Sequence, residues 1–172
     1  MGCGFNSIYF KREIGMDFHD EGGFSAKVTA KVSKPDFNGD RGSFTIHSGN
    51  PGEQPFTLLA VCRPDQEFLF IGQDTIKQGQ TYELGPGKPY AFTYKERETE
   101  ISYVSRGSIT FDIFNFAGRK AKVSFDLFAT DPLGNRSDIH IVGEGTFDAQ
   151  TGSHEFADWA QKELDAFLAK KI

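Results

Sequence analysis

Three stretches decide the fold: Gly107-Ser108-Ile109-Thr110-Phe111-Asp112-Ile113, Lys122-Val123-Ser124-Phe125-Asp126-Leu127, and Asp138-Ile139-His140-Ile141-Val142-Gly143-Glu144-Gly145-Thr146-Phe147. In each the odd positions are mostly apolar, the period-two signature of an extended strand with one buried face. Asn115-Phe116-Ala117-Gly118 and Asp131-Pro132-Leu133-Gly134-Asn135 separate them with turn-forming residues, so the three read as a meander. Opposed residues of an antiparallel pair share a face, which here requires their numbers to sum to an even value. Asp112 opposite Lys122, Lys122 opposite Glu144, and Asp126 opposite His140 satisfy that rule and bring unlike charges together on the solvent side.

The same alternation runs upstream. Phe24, Ala26, Val28, Ala30 and Val32 alternate with Ser25, Lys27, Thr29, Lys31 and Ser33, a half-buried strand. Pro35-Asp36-Phe37-Asn38-Gly39-Asp40 reads as the turn of a hairpin whose second strand begins at Phe44 and Ile46. Further strands are expected over 56–62, 67–71, 81–84, 90–94 and 101–105. Lys95-Glu96-Arg97-Glu98-Thr99-Glu100 is a mixed-charge run, read as a solvated hairpin tip.

Beyond Gly152 the period changes. Phe156, Trp159, Ala160, Leu164, Phe167 and Leu168 recur at three- and four-residue spacings, Ser153 suits an N-cap, and Lys170-Lys171 suit the negative end of the helix dipole. The whole chain of 172 residues thus reads as an all-β domain: an antiparallel β-sandwich or barrel of about ten strands with a C-terminal amphipathic α-helix. An N-terminal arm over 1–16, a β domain over 17–152 and a helix over 153–172, packed on the sheet or across an open end, divide it.

Composition narrows the function classes. The formal charge is -5, with Lys+Arg 19 against Asp+Glu 24, a poor balance for holding phosphates, so no nucleic-acid partner is expected. No stretch approaches the roughly 20 apolar residues of a transmembrane helix. Two cysteines, Cys3 and Cys62, are too few for a disulfide framework and lack metal-ligand spacing. Cys62 follows Leu58-Leu59-Ala60-Val61 and reads as a small buried residue.

Catalytic motifs are missing: there is no Gly-x-Ser-x-Gly elbow, His-Glu-x-x-His pair or phosphate-cradling glycine loop. Three clusters carry suitable chemistry. Asp17, His19, Asp20 and Glu21 offer donors to a divalent cation, although neighbours in one loop cannot all point at one ion. Asp36, Asn38 and Asp40 have the alternate spacing of a calcium loop, but Arg41 stands where that loop needs glycine and His47 where it needs glutamate. Asp138, His140 and Glu144 share a strand face, where the charge register accounts for them as a surface row. No catalytic, cofactor-binding or metal-binding residue is therefore expected.

The 18 phenylalanines are the more informative feature. Phenylalanine adds volume without a polar handle, so Phe68, Phe70, Phe92, Tyr90 and Tyr94 belong either to a thick core or to the lining of an apolar cavity.

Gly79-Gln80-Thr81-Tyr82-Glu83-Leu84, Gly107 to Asp112, Val123 to Leu127 and Ile141 to Phe147, with Gly22-Gly23-Phe24 upstream, resemble small bacterial lipoprotein β-domains of unknown function. The resemblance covers less than half the chain, and this sequence departs from it in its terminal helix and in having no leader before Gly2-Cys3. It implies an all-β fold and an envelope location with an anchor at Cys3. If Met1 is the true start, the expected location is cytoplasmic instead.

Three functions follow as expectations. The first is a non-catalytic recognition module that meets a protein partner through its loops or terminal helix. The second is a lipocalin-like barrel around a small apolar ligand, although the tryptophan that marks the first lipocalin strand is absent. The third is an enzyme with loop-borne acid and base residues near His19 or His140.

Overall fold

The computed structural model describes residues 24–29, 36–39, 42–62, 66–96, 101–134, 138–149 and 158–170. Its elements are β1 (Phe24–Thr29), β2 (Phe37–Gly39), β3 (Gly42–Ile46), β4 (Pro55–Cys62), β5 (Gln66–Gln73), β6 (Thr81–Leu84), β7 (Ala91–Glu96), β8 (Ile101–Asn115), β9 (Lys120–Thr130), β10 (Ile139–Phe147) and α1 (Asp158–Ala169). The strands form one antiparallel sheet in the order β2-β1-β10-β9-β8-β7-β5-β4-β3, with β6 paired to β8. The sheet curls back on itself. Just beyond β10 the Phe44 N–H donates to the Asp148 carbonyl at 2.9 Å, and the Asp148 N–H donates to the Gly42 carbonyl at 3.4 Å.

Alternation explains the curl's contents. Even residues of β1, β4, β5 and β7 and odd residues of β9 and β10 turn inward to one core that includes Val28, Phe56, Phe68, Phe92, Phe125 and Ile141. Apolar burial of this kind is worth roughly 25 cal/mol per Å², and it sets the parity of every register, since a slip of one residue would expose a whole strand's apolar set. The outer face of β4 and β5 is apolar as well. Leu59, Leu69 and Ile71 form a second cluster there with Ala160, Leu164 and Phe167 of α1. Each residue of β5 is consequently buried, which is why Phe68-Leu69-Phe70-Ile71 is a continuous apolar run rather than an alternating one. The helix thus lies on the outside of the sheet and not across an open end; Ser153 and Phe156 fall outside the described residues.

Four local expectations are corrected. Residues 37–39, read as a turn, form β2 and pair with β1, while the Asp36 carboxylate accepts the Val28 N–H at 3.0 Å. The expected hairpin does not form: β1 runs beside β10, and β3 beside β4. The two strands expected over 101–105 and 109–113 are one strand of 15 residues, bent at Gly107 where φ is 138. A β-carbon at Gly107 would lie 2.2 Å from the Asp126 carbonyl oxygen, so the bend and the close passage of β9 both require glycine. Finally, Glu96 is not part of a solvated tip; it is buried, while residues 97–100 are outside the described set.

Registers across the three deciding strands keep their expected parity except beyond a bulge in β8, and they differ in detail. Phe111 pairs with Val123 as the even-sum rule requires, but a bulge at Asp112 then puts Ile113 opposite Lys122. Between β9 and β10 the pairing is offset by two residues from expectation, so that His140 faces Phe128, Asp126 faces Val142, and Glu144 faces Ser124. A two-residue shift leaves every side chain on its own face, so burial cannot detect it; the turn chooses, with Gly134 at φ 70.

Candidate recognition face

The outer surfaces of β8, β9, β10 and β1 form a continuous face in which each cross-strand row is fixed by register. One row runs Arg106, Phe128, His140, Thr29. Three of its members are stacked: the Phe128 and His140 rings lie 4.5 Å apart at 9°, and the Arg106 guanidinium sits 5.9 Å from the Phe128 centroid. Cross-strand neighbours on a non-twisted row touch side by side, and aromatic and cation–π contacts at exposed positions add roughly 0.5–1 kcal/mol each.

Polar neighbours complete the row. Arg106 Nη2 donates to Asp138 Oδ2 at 2.9 Å, and the Thr130 hydroxyl donates to Asp138 Oδ1 at 3.0 Å. His140 Nε2 meets Asp126 Oδ1 at 2.7 Å, a diagonal version of the pair expected from sequence. A carboxylate behind an imidazole is also how a general base is oriented. Among the described residues, however, the ring's hydrogen-bond partner is Asp126, and its flat side is occupied by Phe128. Glu144 stays on the same face, two residues beyond Val142.

What sets this face apart is its apolar content. Val104 is 49% exposed, Phe128 41% and Val142 43%, whereas the outer face of β4 and β5 is covered by α1. With Leu133 of the β9–β10 turn, they are the exposed large hydrophobic residues among those described. Single exposed apolar residues are ordinary, but these three fall one strand apart in a diagonal line.

The interior holds the second concentration of chemistry. The Tyr94 hydroxyl donates to Glu96 Oε1 at 3.2 Å, the Tyr103 hydroxyl lies 3.5 Å from Glu96 Oε2, and Gln66 Nε2 donates to the Tyr94 oxygen at 3.1 Å. Both tyrosines are fully buried. Burial, reinforced by the Glu96 carboxylate, pushes the Tyr94 phenol well above its ordinary range, so it remains a hydrogen-bond donor at neutral pH. Two phenols thereby satisfy a carboxylate that would otherwise be costly to bury, and the Gln66 amide supports them by donating to the Tyr94 oxygen. Sequence reasoning missed this cluster because a Glu in a charged run looks solvated; the inward parity of Tyr94 and Glu96 was the available signal.

Phe68, Phe70, Phe92 and Tyr94, read as core or cavity lining, meet one another and their neighbours ring to ring. Phe68 lies 5.1 Å from Tyr94 and 5.7 Å from Phe92, Phe70 lies 5.4 Å from Phe111, and Phe92 lies 5.4 Å from Phe125. Tyr90 is half-buried at the margin, 5.2 Å from Tyr82. The acidic cluster of Asp17, His19, Asp20 and Glu21 lies outside the described residues, as do Cys3 and Asp40. Asn38, the second member of the calcium-like spacing, is in β2 opposite Ser25. His47 is half-buried with Nε2 2.9 Å from the Thr57 hydroxyl, far from any such loop role. Among the described residues no three His, Cys, Asp or Glu side chains are grouped to hold a metal ion, and no helix is long and apolar enough to cross a membrane.

Fold and face together define a class: an antiparallel β domain of one curled sheet, clasped by a C-terminal helix. No protein-family model, curated protein or solved structure matches the chain.

Proposed function

We propose that the protein is a non-catalytic recognition module: a closed β-barrel with a filled interior that binds through the outer face of β8, β9, β10 and β1. The observation that carries this reading is the exposed diagonal of Val104, Phe128 and Val142 on an otherwise polar face. Apolar side chains held open to water in a contiguous line on a sheet mark an interaction site, whereas scattered single ones do not. The main-chain bonds from Phe44 and to Gly42 at Asp148 favour a barrel over two stacked sheets. Ring-to-ring contact among Phe68, Phe92, Tyr94 and Phe125 favours side chains, rather than a lipocalin-type ligand, as the interior's contents.

Site-specific photo-crosslinking tests the working surface. A benzophenone side chain at position 128 forms adducts in the cells that make the protein, and the same group at exposed position 166 of α1 does not. Equal capture from both positions, or none from 128, overturns the reading. The lipoprotein resemblance adds a location, attachment to a bacterial envelope through Cys3. A lipid adduct on Cys3 in protein from its own cells supports that location, and a free Cys3 thiol rejects it.

A further inference from the structure

We infer that the partner of this face is a second copy of the chain, packed face to face about a two-fold axis along the Val104, Phe128, Val142 diagonal. The inference rests on the recognition reading above and deepens it. The registers place Arg106, Asp126 and Glu144 along one side of the diagonal, and Thr130, His140 and Lys27 along the other. Turning a copy over about the diagonal lays Val104, Phe128 and Val142 on their own counterparts. The same rotation carries each flank onto the opposite flank. Glu144 then meets the partner's Lys27, Asp126 meets the partner's His140, and Arg106 meets the partner's Thr130.

An isologous contact requires self-complementarity of this kind, and a face chosen at random does not supply it. Strands are spaced by about 4.8 Å and alternate residues by about 6.8 Å, so the facing charges are offset along the axis by about 3 Å, within reach of lysine and glutamate side chains. All the flanking residues named are at least partly exposed, and Lys27, Arg106, Asp126 and Glu144 are exposed. The apolar line lies between the charged flanks, as an interface core lies within a polar rim. Because the sheet curls, this outer face is convex, and contact is confined to the diagonal and its flanks. The buried area is therefore below about 1,200 Å², and the pair is a weak, salt-sensitive one.

Sedimentation velocity of the full chain from micromolar to millimolar concentration at low ionic strength tests it. The expected result is a sedimentation coefficient that climbs toward a dimer in the native protein and stays monomeric in Phe128→Asp. Lys27→Glu and Glu144→Lys each weaken association at least about fivefold, and the double exchange K27E with E144K restores it, because the charges are then swapped across the axis. The charge exchange lies on solvated positions and reads the interface even if Phe128→Asp disturbs folding. A native protein that is monomeric throughout, association indifferent to Phe128→Asp, or no rescue by the double exchange overturns the inference. Its failure is distinguishable from that of the recognition reading: a monomer that still cross-links from position 128 to a different protein overturns self-pairing alone, whereas silence at position 128 overturns both.

Discussion

Gly107 shows how one residue can shape an element. With φ at 138 and the Asp126 carbonyl 2.2 Å from where a β-carbon would stand, any larger residue strains its own backbone and pushes β9 away. Gly107→Ala is expected to cost about 2–4 kcal/mol in urea unfolding, with a lowered midpoint and an unchanged slope. Burial likewise governs His47, holding its imidazole below the ordinary histidine value of 6.5. The folded state binds that proton more weakly than the unfolded chain, so its contribution is complete above pH 6.5 and is lost as pH falls through the folded value. Comparing melting temperatures between about pH 7.5 and pH 5, His47→Gln should lose less than the native protein over that interval, while the carboxylates shared by both contribute equally. At this scale the sequence is only partly legible. The apolar parity of Val123, Phe125 and Leu127 announces itself, but burial of Glu96 depends on Tyr103 and Gln66 arriving from two other strands to join Tyr94 of its own.

At the scale of elements, α1 is held by few but fully buried side chains. Leu164 is 2% exposed and Ala160 0%, seated on Leu59, Leu69 and Ile71. Leu164→Ala is expected to cost about 2–4 kcal/mol, and a chain ending before Asp158 to expose the outer faces of β4 and β5 and bind an apolar dye that the full chain does not bind. The helix period is readable from spacing alone, and its docking site is foreshadowed by the unbroken apolar run of β5. The partners of β1 are not. Hydrophobic alternation fixes which face of a strand is buried, whereas the choice of β10 over β3 as its neighbour is a long-range pairing that local pattern does not encode. The same reasoning explains the offset of His140 relative to Asp126: moving by two residues preserves the pattern, and only the turn around Gly134 distinguishes the alternatives.

For the whole molecule, the buried aromatic core and the exposed apolar diagonal lie on opposite sides of one sheet. Phe111 is 0% exposed and meets Phe56, Phe70 and Phe114, whereas Phe128 is 41% exposed with its ring between Arg106 and His140. Phe111→Ala should therefore cost about 3–5 kcal/mol, and Phe128→Ala no more than about 1 kcal/mol, in the same denaturation assay. The candidate face was half legible: its charges follow from strand parity, but its apolar diagonal exists only once the registers are known.

We propose that the protein binds from its outer face and not around a captured small molecule. Native mass spectrometry of the protein taken gently from its own cells, set beside its denatured mass, tests this most directly. The predicted result is that every mass lost on denaturation belongs to a protein chain, this one or another. A small-molecule increment that survives native conditions and disappears on denaturation would contradict it and return the interior aromatics to the role of a ligand's walls.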